Sequence, residues 1–428
     1  MLYTLHDMKQ GVLEPMMLGA KTSRQIFNHP ANPWAWTLQA RMMNAGMDVM
    51  ESLSKSRGKP EWDLNKITHD GKEYAVEQTV VDHKAFCELR KFSLKRDAAA
   101  KQPAARKQIF VLAPMSGHFS TLLRDTIKRL LVDADVFITD WFDAKHVPLD
   151  QGRFGVEEYI LYIQAFLETI GPHQDGKDGG CHGIAVCQPA PLLLAATALM
   201  AANNSPYTPR TITLMGGPVD ASAAPTLVTQ LAENRPISWF EHHNVHHVPA
   251  RYEGAGRRVY PGFLQLRAFW SMNPARHNMA HWNMFKHLIK GNDDSAERTQ
   301  DFYNEYMAVL DVTAEFYLET VHHIFKKHSL RDGTMTVGDQ KIDLAAIEKV
   351  GILTVEGELD DISAPGQTMA AHALCPNVKS DYKKNILVEK AGHYGIFNGR
   401  KWRDHVAPAI IDFMGMMDQE FNAAPKKA

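Results

Sequence analysis

The sequence predicts an α/β protein with a mostly parallel central sheet, preceded by a helical extension and interrupted by a mainly helical insertion. Three features predict it. Short β-rich runs alternate with amphipathic helical segments between Gln108 and Met215, the same alternation resumes at Val350, and the stretch 221–344 between them is helical and aromatic.

The elements follow in order. Residues 1–72 carry helical patterns, with Leu38, Met42, Met43, Met47 and Met50 roughly on one face, and are expected to form an N-terminal helical extension. Glu73–Val81 and Phe86–Leu94 read as an opening hairpin, and the polar, Ala-rich run Arg96–Lys107 as an exposed loop. Strands are expected at Gln108–Ala113, Asp135–Thr139, Gly183–Val186 and Arg210–Met215, with helices at Thr121–Val132, Val156–Ile170 and Pro191–Ala202. After the insertion, which holds Trp239, Trp270 and Trp282, come a strand at Val350–Val355, a helix near Thr368–Leu374, a strand at Asn385–Glu389 and a helix at Trp402–Met417. The domain division is therefore an extension (1–72), a core in two pieces (73–220 and 345–428) and an inserted lid subdomain (221–344), without internal repeats.

Composition narrows the function. A chain of 428 residues, 45% hydrophobic and 22% charged, can bury a large core. The formal net charge of -2 offers no field for nucleic acid or an anionic membrane. Four cysteines without a CxxC pair suggest neither a disulfide framework nor a structural zinc, which fits a reducing cytosol. No signal peptide is read at the N-terminus, and the apolar run Pro189–Ala202 is short of the roughly 20 residues a membrane span needs, so no span is expected.

Chemistry concentrates in three places. In Gly183-Ile-Ala-Val-Cys187-Gln-Pro-Ala an apolar strand ends in a thiol and runs straight into an apolar helix, the layout of a nucleophile elbow. The usual G-x-S-x-G glycines are replaced by Ala185 and Pro189; alanine is small, and proline at a first helical position loses no needed N–H. A buried core cysteine is the bland alternative. Second, the strand at Gly351 runs into Glu356-Gly-Glu-Leu-Asp360-Asp361-Ile362, where Asp360 takes the place of an orienting acid and Asp361 is its alternate; both are otherwise loop residues. Third, His393 follows the last strand between glycines. Nucleophile, acid and histidine in that chain order predict an α/β-hydrolase fold with Cys187, Asp360 and His393 as its triad. His393 would take the thiol proton, Asp360 would fix its tautomer, and the imidazolium would protonate the leaving alkoxide.

An oxyanion hole needs two backbone donors, expected from Gln188 and from Met115 or Ser116 in the Pro114–Gly117 loop. The cluster Glu241–His247 would put His242 with His246 and His243 with His247 on shared helix faces, but it lacks a third ligand, and no metal site is read there. Asp140 is an alternative acid that more simply serves its own loop.

Long strings across nearly the whole chain, among them MLYTLHDM, APMSGHFSTLLRDT, FITDWFDAKHVPL, VCQPA, VPARYEGAGRRVYPGFLQL, TVEGELDDIS and KAGHYGIF, resemble the intracellular polyhydroxybutyrate depolymerases of the cysteine type. The resemblance implies an α/β-hydrolase that cleaves short-chain poly(3-hydroxyalkanoate) on a cytoplasmic granule, with Cys187, Asp360 and His393 in the triad positions. It implies no required cofactor. Because a thioester intermediate stays activated toward thiols, coenzyme A stands beside water as an acyl acceptor. Trp239, Phe240, Tyr260, Phe263, Phe269 and Trp270 of the insertion are candidates for polymer contact, with a private aromatic core as the alternative. The polar loop Gly171–His182 is the least family-like stretch. Competing readings are a polyester synthase or other acyltransferase on hydroxyacyl-CoA, and a non-catalytic granule-associated protein. Oligomeric state is not read from the sequence.

Overall fold

A computed structural model describes residues 32–54, 57–95, 106–171 and 181–423, together with part of 2–19. The loop expected at Arg96–Lys107 and the polar run Gly171–His182 fall largely outside the described residues.

The frame is a nine-stranded sheet. In chain order its strands are β1 (Lys66–His69), β2 (Lys72–Lys84), β3 (Cys87–Leu94), β4 (Lys107–Leu112), β5 (Ala134–Trp141), β6 (Cys181–Val186), β7 (Thr211–Met215), β8 (Gly351–Gly357) and β9 (Lys383–Val388). Across the sheet they run β1-β2-β3-β5-β4-β6-β7-β8-β9. From β5 to β9 all pairs are parallel, while β1, β2 and β3 join antiparallel at one edge. This mostly parallel sheet is the α/β-hydrolase arrangement the alternation predicted.

The central strands are apolar on both sides because helices cover both faces. β6 and β7 are buried along their whole lengths. The helix after β6, α1 (Ala190–Ala202), is apolar all round and buried from Ala190 to Met200, as a helix without a polar face must be. The last helix, α2 (Ala407–Ala423), closes the other end of the sheet through Asp418. Its carboxylate accepts from Arg210 at 2.8 Å, pairs with Lys107, and lies 3.4 Å from the buried His182. Three strands and a helix are thus tied at one carboxylate, and its partners, His182 and Lys107 ahead of Arg210, outweigh burial and hold it far below the usual carboxylate range.

Two expectations change. The stretch expected to be helical up to residue 72 includes β1, which turns into β2 through Asp70 and Gly71 with φ of 47° and 72°. Two consecutive left-handed residues make the tight hairpin turn that an Asp-Gly pair favours. The helix expected near Thr368–Leu374 is also short, spanning Ala371–Leu374.

Between β7 and β8 the chain leaves the sheet and builds seven segments that matter for the site: α3 (Leu227–Asn234), α4 (Ile237–Asn244), α5 (Gly262–Met272), α6 (Pro274–Lys290), α7 (Asp293–Tyr306) and α8 (Ala314–Thr320), which continues into a π-helical turn, Val321–Lys326. This inserted region also holds a small three-stranded sheet of His246–His247, Arg258–Tyr260 and Val312–Thr313. At its base Tyr3 of the N-terminal segment donates to the buried Asp311, which also accepts from the Gly262 N–H at 2.8 Å. Burial and the neighbouring Asp143 push the Asp311 carboxyl up to about 7, against the opposing pull of Lys145.

Candidate active site

β6 delivers Cys187 to the carboxyl edge of the sheet, and α1 begins three residues later. Cys187 has φ of 67°, a left-handed conformation that costs a side-chain-bearing residue roughly 1–3 kcal/mol. The bend is held from both sides: the Cys187 N–H donates to Met215 O at 2.7 Å, and the Ala190 N–H to Cys187 O at 3.1 Å. The room for it comes from across the sheet. A Cβ on Gly217 would stand 2.3 Å from Ala190 Cβ and 2.4 Å from Cys187 O. The glycine absent at 185 and 189 has its spatial counterpart in the Gly216-Gly217 pair after β7. That signal was present in LMGGPVDA but is only meaningful once β6 and β7 are neighbours.

Asp360 lies past the end of β8 and His393 past the end of β9, adjacent strands in the sheet. Asp360 Oδ1 accepts from the N–H groups of Ile362 and Ser363, both at 2.9 Å, which fixes the carboxylate. Its Oδ2 lies 2.7 Å from His393 Nδ1. Cys187 is close enough to the buried imidazole to act on it electrostatically. Burial pulls the His393 imidazolium down, but the electrostatic influence of Cys187 and Asp360, together with the Asp360 hydrogen bond, more than offsets this and holds it well above 6.5. Gly216, with φ of 55°, passes close by: a Cβ there would meet Asp360 Oδ2 and His393 Cε1 at 3.3 Å.

Asp361 is exposed and has no hydrogen bond to His393 among the described residues. Asp140 is elsewhere, buried under Lys59 at 2.8 Å, the Trp62 indole N–H at 3.0 Å and Arg90 at 3.3 Å. In the histidine cluster α4 stops at Asn244, so His246 and His247 sit on a strand and the two pairs do not share helix faces. Among the described residues no group of histidine, cysteine or carboxylate side chains could hold a metal ion.

Cys187, Gln188, Met115 and Ser116 meet at the floor of a cavity of about 430 Å³. The Met115 N–H, one of the expected oxyanion donors, is engaged there by the Gln188 side chain, whose Oε1 accepts from it at 3.1 Å. The walls are apolar and come from the inserted region, with Phe240, Tyr260, Phe269, Phe316 and Val321 among them. The other candidate aromatics do not line it. Trp239 stacks on His243 at 4.5 Å, Phe263 lies between Tyr3 and His6, and Trp270 stacks on His277 at 4.4 Å.

A second cavity, of about 500 Å³, opens on the imidazole side. His393 and Asp361 lie on its wall opposite α6 and α7, which contribute His277, Arg298, Thr299 and Tyr303. The two cavities share Phe269, Met272 and Ile362. No spacing rule could have found His277 or Arg298, since they join the site only through the packing of the insertion.

A left-handed cysteine between strand and helix, with an acid and a histidine presented from the ends of β8 and β9, is the arrangement of an α/β-hydrolase fold. Residues 216–418 match the family model described as PHB de-polymerase C-terminus. Comparison with curated protein sequences finds no match. Among solved structures, a thermophilic esterase from Thermogutta terrifontis is 12% identical, covering 82% of this chain and 98% of that one, with a TM-score of 0.41. The Paleococcus ferrophilus monoacylglycerol lipase is 12% identical over 73% and 97%, TM-score 0.43. A soluble variant of the monoglyceride lipase of Saccharomyces cerevisiae is 11% identical over 86% and 100%, TM-score 0.41.

Proposed function

We propose that the protein depolymerises short-chain poly(3-hydroxyalkanoate), chiefly poly(3-hydroxybutyrate), with Cys187 as nucleophile, His393 as acid and base, and Asp360 as the group that orients the imidazole. One observation carries the reading: Cys187 stands at φ 67° on the strand-to-helix bend, within electrostatic reach of an imidazole whose Nδ1 is held by Asp360 at 2.7 Å. A buried structural cysteine has no need of backbone strain or of a charged partner.

In the reaction the sulfur bonds the ester carbonyl carbon while the carbonyl oxygen takes the negative charge at the backbone N–H groups of Gln188 and Met115 or Ser116. Collapse breaks the C–O bond, and the proton on His393 passes to the departing alkoxide. The thioester left on Cys187 is discharged by water, deprotonated by His393, or by coenzyme A, which gives a hydroxyacyl-CoA. No cofactor is needed for either route. The apolar cavity over the sulfur suits an aliphatic polyester, and the inserted region that walls it serves as the lid. Work in the cytoplasm at the granule surface follows from an insoluble substrate. No helix among the described residues is long and apolar enough to cross a membrane.

The test is soluble product from amorphous poly(3-hydroxybutyrate) granules, compared between wild type and Cys187→Ala, with and without coenzyme A. The reading expects 3-hydroxybutyrate or its oligomers from wild type only, and hydroxybutyryl-CoA when coenzyme A is present. Equal turnover by the two proteins would remove Cys187 from the chemistry. Consumption of hydroxyacyl-CoA into polymer would assign a synthase instead.

A further inference from the structure

The two cavities divide the reacting pair between them. Cys187 lines the apolar one and His393 the other. Cleavage by a cysteine divides an ester the same way: the acyl part stays bonded to sulfur, and the alkoxide leaves where the imidazole can protonate it. In a polyester of hydroxyacids the fragment that leaves as an alcohol is the one ending in a free carboxylate.

The imidazole-side cavity has the chemistry for such a fragment. Its wall mixes aromatic rings with polar groups, including Asn273, His277, Ser295 and Thr299. Arg298 of α7 stands at its rim and also lines the neighbouring surface groove, so its guanidinium is reachable from outside. Two other cations of that groove are matched, Arg124 with Glu305 at 2.7 Å and Lys128 with Asp125 at 3.6 Å. Arg298 has no carboxylate within ion-pair distance among the described residues, and donates instead to Ser295 Oγ at 3.2 Å. Asp361, the acidic residue of this cavity, follows Asp360 directly and so lies toward the imidazole. An anion is therefore favoured at the Arg298 end.

We propose that this cavity is the leaving-side subsite and that Arg298 binds an anionic terminus there. This rests on the ester-cleaving reading above. The anion has two chemical sources: the carboxylate of a departing 3-hydroxyacid or short oligomer, or the phosphates of a thiol acceptor that enters by the same side. A guanidinium pairs with either in a two-pronged geometry.

The experiment uses small esters, so that it stands apart from polymer recognition. Wild type, Arg298→Ala, Arg298→Lys and Lys128→Ala are assayed on 3-butyryloxybutanoate and on its methyl ester, which differ only in the charge at the leaving end. Wild type is expected to prefer the free acid about tenfold in kcat/KM, the effect of one partly exposed charge-assisted contact. Arg298→Ala should lower the acid about tenfold and leave the methyl ester unchanged, Arg298→Lys should restore part of the preference, and Lys128→Ala should keep all of it. Equal cleavage of both esters by wild type, or an equal loss of both in Arg298→Ala, overturns the carboxylate assignment. A second arm compares discharge of the butyryl-enzyme by coenzyme A and by pantetheine, which lacks the phosphates. A loss in Arg298→Ala confined to coenzyme A assigns the anion to phosphate, and no loss in either arm overturns the subsite. If the discrimination holds while granules are not degraded, the polymer reading falls and the subsite stands.

Discussion

Gln188 Oε1 accepts a hydrogen bond from the Met115 N–H at 3.1 Å, so the residue after the candidate nucleophile occupies a donor that an ester carbonyl would need. The side chain keeps this buried N–H satisfied, and an oxyanion could form there only after it rotates away. Gln188→Ala removes the competitor, and kcat/KM on small soluble esters is expected to rise about threefold. Gln188→Glu is expected to lower it about a hundredfold, because a carboxylate holds the N–H more strongly and repels the developing charge. Steady-state kinetics on a p-nitrophenyl ester separates the two, and a loss in both variants would show that the amide supports the site instead.

Asp360 fixes the imidazole through Nδ1, and its loss should cost more than one hydrogen bond. In Asp360→Asn the tautomer presented to Cys187 is wrong, and kcat is expected to fall by about 10²–10⁴ with KM little changed. The pH profile should move as well. Asp360 is one of the groups that hold His393 well above 6.5, so the limb due to loss of the imidazolium should shift to lower pH in the variant.

The same shift makes a stability prediction. A histidine whose pKa is raised on folding contributes its full stabilisation below its unfolded value near 6.5, and that contribution is lost as pH rises through the folded value. The midpoint of thermal unfolding should therefore decline above neutral pH in wild type. In His393→Gln this part of the slope should vanish; an unchanged slope would place the proton elsewhere.

Gly217 permits the approach of two strand ends. In Gly217→Ala the new methyl collides with Ala190 Cβ and Cys187 O, so the elbow must shift. A loss of about 2–3 kcal/mol by urea unfolding is expected, together with at least a hundredfold loss of activity, since overpacking here displaces the sulfur itself.

Asp418 works at the opposite edge of the sheet. Its carboxyl is held far below 3.8, so the stability it brings is present above that pH and is lost as pH falls through the folded value. Asp418→Asn leaves Arg210, Lys107 and His182 without their shared anion and should cost roughly 3 kcal/mol at neutral pH. The variant's loss relative to wild type, followed by urea unfolding, should shrink toward pH 2. An unchanged difference would mean that shape, not charge, holds the helix there.

The strands and helices of the sheet were legible because each is long and strongly patterned: Val156–Ile170 is helical over the span its apolar period predicts. The hairpin through Asp70 and Gly71 was hidden because its first strand, Lys66–His69, is four residues long and buries only Ile67. That Cys187, Asp360 and His393 would come to neighbouring strand ends was legible from chain order, since the fold presents those ends along one edge. The contact of Gln188 with Met115 is invisible in sequence, because it depends on a side-chain rotamer across 73 residues of chain. Arg298 is equally silent: α7 reads as an ordinary polar helix, and only its packing beside α6 brings Arg298 to the cavity that His393 also lines.

Of the four cysteines, Cys87, Cys181 and Cys375 are buried and Cys187 is half-buried. Cys187 is thus the most accessible of the four thiols. Cys181 begins the strand whose end leads to Cys187, six residues and roughly 20 Å away at extended spacing. An oxidant entering from solution would meet Cys187 before the buried thiols, and the sulfenic acid it formed there could be reduced by a thiol arriving by the same route.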